Sequence, residues 1–510
     1  MKNSSSKRKK TEKYFSTDHL KEDLKGRSVR GGAVTIAAQA GKFILRMGST
    51  VVLARLLAPE DYGLIGMATV IIGFVELFKD LGLSAATVQK AEVNHQQIST
   101  LFWINLVISC IVGSIVAASA PAVAWFYKEP RLTGITLALA SSFLFGGLTV
   151  QHQALLQRQM QFSTLAKIDI ASMLVSILTA IVAAWYGMGY WALVLMQIAS
   201  AITNALLVWL TCSWRPGKPL KAAGVRSMLA FGSNLTGFRF VNYFSRNLDN
   251  VLIGRYWGSQ ELGLYAKAYQ LVLLPIQQIN SPVNSVALPA LCSLQNNPEK
   301  YCRYYYKAIL LITTLGMPIV CFMFAAADKV ILLMLGEQWL GAVPIFRFLM
   351  PAAFIGTFNV ADGWVYQSLG RTDRQFRLGT ILSTINVAIF AFSVQWGAIG
   401  VAAAFGLSRP ILLIFRMIYC YKGTYLKVSN LAIQLSKPTF SSIMAGLMLL
   451  WINSFDLLRL NIFLNIAISL LIYAFVYLII WVVIPGGKKE LLGMLEVVKK
   501  IKERKNSLQN

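Results

Sequence analysis

The chain has 510 residues, is 56% hydrophobic and only 14% charged, and has a mean hydropathy of +0.57. Apolar runs of about 20 residues recur along it, each long enough to cross a bilayer core of roughly 30 Å, which excludes a string of soluble domains. The net charge of +26 does not point to nucleic acid: ten of the 48 Lys and Arg lie in residues 1–30, seven in 485–510, and most others in short loops between apolar runs. That is the positive-inside pattern of a membrane protein, with attraction to anionic membrane lipids as its by-product.

In chain order, residues 1–30 read as a basic cytoplasmic tail, with a short surface helix at 18–27. This hydrophilic start holds no cleavable signal, so the first span is expected to act as its own insertion signal. Six spans follow at 31–57, 62–87, 98–126, 132–154, 165–186 and 190–212, forming an N-terminal bundle over 31–212. A basic cytoplasmic linker occupies 213–225. A second six-helix bundle over 226–421 has spans at 226–256, 262–290, 304–335, 341–368, 375–396 and 398–421. Two accessory transmembrane helices at 438–453 and 460–484 lie within 422–484, and 485–510 is a basic cytoplasmic tail.

The expected fold class is therefore an all-α polytopic membrane protein of about 14 transmembrane helices. Charge tests this topology independently. Loops on the side of the N-terminus carry sixteen Lys and Arg, against three (Lys128, Arg131 and Arg459) on the other, which places both termini in the cytoplasm. The outer loops are too short to hold an extracytoplasmic domain.

The two bundles read as copies of one unit. Arg46, Val51, Arg55, Gly63, Leu64 and Ala68 recur 200 residues later as Arg246, Val251, Arg255, Gly263, Leu264 and Ala268, and Glu261 answers Asp61. Because six is even, the copies share one orientation and are expected to be related by a pseudo-twofold along the membrane normal.

A charge near the bilayer centre costs several kcal/mol, so such a residue faces a cavity or a partner. The first span carries Gln39, Lys42, Arg46 and Ser49, which at 100° per residue fall within about 80° of one another. The seventh repeats this with Arg239, Asn242, Arg246, Asp249 and Asn250, and the second has Glu76, Lys79 and Asp80. Two readings stand. In one, Arg46, Arg246, Lys42, Arg239 and Asn242 line a water-filled cavity for an anionic substrate, and Asp249, Glu76 or Asp80 takes a coupling proton or sodium ion. In the other, the same charges are struts, such as Arg46 with Glu76 or Arg246 with Asp249. Arg55 and Arg255, half a revolution off the polar stripe, read as interfacial or corner-locking residues. Lys329, Arg409 and Arg416 read as end-of-helix or partnered residues, while Arg347, Asp362 and Lys267 sit deeper in their spans.

Six scattered cysteines and three histidines form no ligand spacing, so no metal site is expected. No phosphate-binding loop, zinc-protease or nucleophile-elbow motif occurs. Neither an enzymatic activity nor a cofactor is expected.

The pattern from Asn242-Tyr243-Phe244 through Arg246-Asn247-Leu248-Asp249, Ile253-Gly254-Arg255 and Leu262-Gly263-Leu264-Tyr265 resembles the Wzx-type, colanic-acid-exporter-like flippases of the MOP superfamily. Leu53 through Leu64, the loop Leu369-Gly370-Arg371-Thr372-Asp373 and Gly397-Ala398-Ile399-Gly400-Val401-Ala402 carry the same resemblance, which covers about residues 30–430. It implies two V-shaped bundles around a central cavity and alternating access. The cargo it implies is an undecaprenyl-pyrophosphate-linked oligosaccharide, flipped across the bacterial inner membrane for surface polysaccharide export. Polysaccharide polymerase and other assembly proteins are the implied partners. A small-molecule antiporter of the same superfamily is the alternative, and the arginines argue against it. A membrane polysaccharide polymerase or ligase is a further alternative, opposed by the short outer loops.

Overall fold

The structure, a computed structural model, describes residues 15, 24–80, 82–90, 93–220, 226–455, 461–488 and 490; the side chains of 24–33, 36, 75–80, 226–242 and 244–246 lie outside that description. Among the described residues the regular structure is all helical. In order the helices are α1 (Leu24–Leu56), α2 (Pro59–Asp80), α3 (Leu83–Gln89), α4 (His95–Tyr127), α5 (Arg131–Arg158), α6 (Phe162–Trp185), α7 (Tyr190–Thr211) and α8 (Arg226–Leu294). They continue as α9 (Pro298–Ala325), α10 (Ala327–Met334), α11 (Ala342–Gly356), α12 (Val360–Ser368), α13 (Thr372–Ser393), α14 (Gly397–Tyr421), α15 (Val428–Ser454) and α16 (Ile462–Val483). Each of the fourteen expected spans falls on a helix or a pair of helices, and nine segments among the described residues are long and apolar enough to cross a membrane.

Several expected spans are interrupted. The second breaks at Gly82, whose φ of 69° places α3 on a new axis. The ninth breaks at Ala326 and the tenth at residues 357–359. The corner expected between the seventh and eighth spans is made at Gly258, where φ 84° and ψ −175° break the helical path within α8 into two helices. The helix expected at 438–453 starts ten residues earlier, at Val428. Of the short helix expected at 18–27, residues 18–23 lie outside the described residues, and 24–27 belong to α1, which continues into the first span.

The chain divides into two compact units, Met1–Gly263 and Leu264–Asn510. In the first, α4 packs on α5, α6 on α7 and α1 on α6. Its tightest crossing uses the repeated glycines. A Cβ on Gly63 would overlap the Ser259 carbonyl oxygen, and a Cβ on Gly263 would overlap that of Pro59. Gly63 thus meets Ser259, the counterpart of Pro59, and Gly263 meets Pro59, in a reciprocal contact that needs glycine at 63 and 263. One turn earlier in α8, Gly254 admits Tyr127 and Met67. The Tyr243 hydroxyl donates to the Val70 carbonyl over 2.7 Å, against Gly73. At the α1–α2 corner the Asp61 carboxylate accepts the Ala58 N–H at 2.9 Å, and Arg131 pairs with Glu60 and, at 2.7 Å, with Glu129. Arg255 does not lock this corner by charge; its guanidinium lies over the Phe126 ring at 5.7 Å.

The described part of the linker, 213–220, is docked. Trp214 is fully buried and donates to His95 Nδ1 at 3.1 Å; Gly217 N–H donates to Ser99 Oγ at 2.9 Å; and Trp103 donates to the Gly217 carbonyl at 2.8 Å. Arg158 gathers the carbonyls of Thr87 and Lys90 beyond α3.

In the second unit α11 packs on α14, α9 on α15 and α15 on α16. The two accessory helices are fastened by polar contacts within apolar surroundings. Tyr477 donates to the Thr314 carbonyl at 3.0 Å, and Lys329 donates to Asn453 and Asn465 at 2.8 and 2.7 Å.

Candidate functional site: the charged helix faces

On α1 the expected polar face is present, and its members differ in surroundings. Ser49 is buried, with its hydroxyl on the Arg46 carbonyl at 2.9 Å. Lys42 reaches across to α6 and pairs with Asp169 at 3.0 Å, in a setting that leaves the two side chains 27% and 43% exposed. Arg46, one turn further, is exposed and has no carboxylate partner among the described residues. It lies ten residues before the end of α1, roughly 15 Å along the axis and thus near mid-bilayer. Facing lipid at that depth would cost about 2.5–3.5 kcal/mol. Lys42 is held by a carboxylate, whereas Arg46 has none among the described residues.

On the first half of α8, Asp249 is buried at 4% exposure, and its Oδ1 accepts the Asn250 N–H at 2.9 Å. Arg239, Asn242 and Arg246 belong to the same helix, but their side chains lie outside the described residues, as do those of Glu76 and Asp80 at the end of α2. The described contacts therefore bring together Lys42 with Asp169, and do not bring Arg46 to any carboxylate.

Asp169 was not among the expected site residues. Its signal is in the sequence, as the single acidic residue of α6. The second unit holds a further charged group, whose members were singled out in the sequence but not as a pair. Arg416 on α14 is bonded to Asp362 on α12 and donates to Asn359 Oδ1 at 2.8 Å; Arg416 and Asp362 are 8% and 6% exposed. Arg347 pairs loosely with Asp328 at 3.5 Å. Lys267, 8% exposed, donates to Gln270 at 3.3 Å. Arg416 and Lys329 are partnered, as their surroundings in the sequence suggest; Arg409 lies mid-helix and is stacked on Phe405 at 4.2 Å rather than paired with an acid.

Outside the spans, Glu129 is held below the ordinary carboxylate range, first by the Arg131 hydrogen bond. Asp61 is pushed up, first by burial. Neither group is placed to bind cargo within the membrane. No cluster of His, Cys, Asp and Glu able to hold a metal ion occurs among the described residues.

A family model described as "Polysaccharide biosynthesis protein" matches residues 52–344, more than half of the chain. The chain is 29% identical over 329 residues to the teichuronic acid biosynthesis protein TuaB of Bacillus subtilis (strain 168), covering 64% of this chain and 68% of that one. It is 25% identical over 402 residues to the lipopolysaccharide biosynthesis protein WzxC of Escherichia coli (strain K12), covering 76% and 81%. Its fold matches the lipid II flippase MurJ in an inward closed conformation, with a TM-score of 0.68 at 15% identity over 89% of this chain and 98% of that one. An inward-facing multidrug resistance MATE family transporter of the MOP superfamily matches with a TM-score of 0.59 at 14% identity, over 74% and 93%. Those two likenesses concern the fold alone. Together with the interrupted, repeated helices and the charged faces inside them, the comparisons establish that the chain belongs to the polysaccharide biosynthesis protein family, on the multi-pass fold of the MOP transporters.

Proposed function

We propose that the chain flips lipid-linked oligosaccharide, its pyrophosphate carried on undecaprenol, across the bacterial inner membrane by alternating access. The observation that carries this reading is Arg46, a permanent cation exposed at mid-bilayer depth with no carboxylate partner among the described residues. A guanidinium offers a planar fork of donors that matches phosphate and carboxylate oxygens. Its counterpart Arg246, with Arg239 and Asn242, is assigned the same task on the repeat-related helix, and Lys42 adds positive potential beside Arg46. The family supports polysaccharide as the cargo's chemistry. The sixteen-to-three charge bias supports cytoplasmic termini. Asp249, buried within a span, is the leading residue for a coupling proton or sodium ion, with Glu76 and Asp80 as the others. A polysaccharide polymerase and other assembly proteins would receive the flipped unit.

The test is Arg46→Gln and Arg246→Gln in a strain lacking its own exporter. Losing one charge-assisted contact, about 1.5–3 kcal/mol, lowers cargo affinity roughly ten- to hundredfold. Surface polysaccharide should fall accordingly at unchanged protein abundance. Normal polysaccharide at normal abundance sinks the assignment.

A further inference from the structure

We infer a second anion site, inside the Leu264–Asn510 unit, at a cavity of about 380 Å³ between the second half of α8 and helices α11, α13 and α14. Its two charged walls are Arg409 and Arg416, seven residues apart and so on one face of α14. Their states differ. Arg416 is neutralised by Asp362 and steadied by Asn359. Arg409 lies twelve residues from either end of α14, with its guanidinium 4.2 Å above the Phe405 ring and no ion pair or hydrogen bond among the described residues. Two arginines and one carboxylate leave one net positive charge. The buried Arg416 adds a second opening, since its Nε has no partner there.

The remaining wall is largely aliphatic, including Ile276 and Leu349. Attraction between opposite charges is several times stronger in such surroundings than in water. Stacking on Phe405 fixes the guanidinium plane and leaves its N–H edges for a ligand. The volume sits at the small end of ligand pockets, which run from roughly 300 to 1,000 Å³. The site therefore takes one oxyanion, a phosphate or a carboxylate, and not a whole oligosaccharide. That chemistry is offered both by a charged cargo and by an anionic phospholipid headgroup. The site shares no residue with the α1 face.

The experiment uses the full chain in phosphatidylcholine nanodiscs, in an Arg46→Gln/Arg246→Gln background that removes the cations of the proposed cargo site. Calorimetric titrations use inorganic pyrophosphate, trigalacturonate, farnesyl pyrophosphate and, as a neutral control, farnesol. At least one anion should bind and farnesol should not. Adding Arg409→Gln should weaken that binding at least about tenfold, and Arg409→Lys, which keeps charge without the planar stack, by about threefold. Ala353→Leu fills the cavity without touching either arginine and should weaken it comparably. Phosphatidylglycerol in the discs should compete if a lipid headgroup is the natural occupant, and should leave the affinity unchanged if the cargo is. Affinities within twofold of the background in whichever of Arg409→Gln and Ala353→Leu remains monodisperse overturn the site. Complete loss of anion binding in the background itself overturns it as well, and leaves the reading of Arg46 intact.

Discussion

Arg46 and Arg416 are the same residue type in apolar helices, ten and five residues from the ends of α1 and α14, and their surroundings differ. Arg416 is buried against Asp362 and Asn359, so its charge is spent inside the protein. Arg46 is exposed, with no carboxylate partner among the described residues. Between them stands Lys42, which has a partner in Asp169 yet keeps a quarter of its side chain exposed. A buried pair fastens helices, whereas the exposed cation is the one proposed to select cargo. Sequence position set Arg416 apart as end-of-helix or partnered, but did not distinguish Lys42 from Arg46 on their shared face.

The comparison breaks most visibly at Asp362. Asp362→Ala strands the Arg416 guanidinium in a buried site and should cost about 3–5 kcal/mol, read as loss of folded protein and a lowered melting temperature. The double variant Asp362→Leu/Arg416→Met should regain most of that loss, because the penalty belongs to the unpaired charge. Failure of the double variant to recover would mean that the pair specifies the fold rather than merely neutralising itself.

Next in size is a contact without charge. Gly63→Ala drives a methyl into the Ser259 carbonyl and should cost about 1–3 kcal/mol. Gly263→Ala should match it through Pro59, since the contact is reciprocal. Unequal effects would show that the two copies do not share the load.

The exposed pair should matter less. Lys42→Ala breaks the bond to Asp169 and should change stability by under about 1 kcal/mol, measured by thermal unfolding in detergent. A larger loss would move Lys42 to Arg416's side of the comparison.

The smallest effect is expected at the corner. The Glu129 carboxyl is held below its ordinary value by Arg131, so the stability it contributes is present above the unfolded-state pKa and is lost as pH falls through the folded one. The melting temperature should be level near neutrality and decline below about pH 4.5, and Glu129→Gln should remove that part of the decline. An unchanged acid limb in the variant would assign it to other carboxylates.

Much of this was legible before any coordinates. Hydropathy located the spans, because a helix crossing a bilayer must satisfy its backbone internally and present apolar side chains for about 20 residues. The 200-residue echo singled out Gly63 and Gly263, although not that each would seat against the other's preceding turn. Interruptions at Gly82, Ala326 and residues 357–359 were invisible, since an apolar run continues through a break without changing composition. The corner between the seventh and eighth spans was legible, and the backbone makes it with a single positive φ at Gly258. The site was legible only in part. Lys42 and Arg46 were found from their spacing on one helix face, but Asp169 was not, because its pairing depends on α1 packing against α6.

By itself the sequence determined the class: a duplicated, multi-pass helical protein with cations set into its membrane helices and basic segments biased to one side. Those properties follow from local rules, namely helix period, bilayer thickness and the cost of moving charge across lipid. Only the tertiary structure decided which cations are spent and which are available. Ion pairing depends on distances of 3–4 Å between residues 50 to 130 positions apart, and no periodicity along one helix carries that information. Lys42 and Arg46 read alike in the chain and part company only when α6 brings its aspartate to Lys42, just as only α12 supplies the aspartate that holds Arg416.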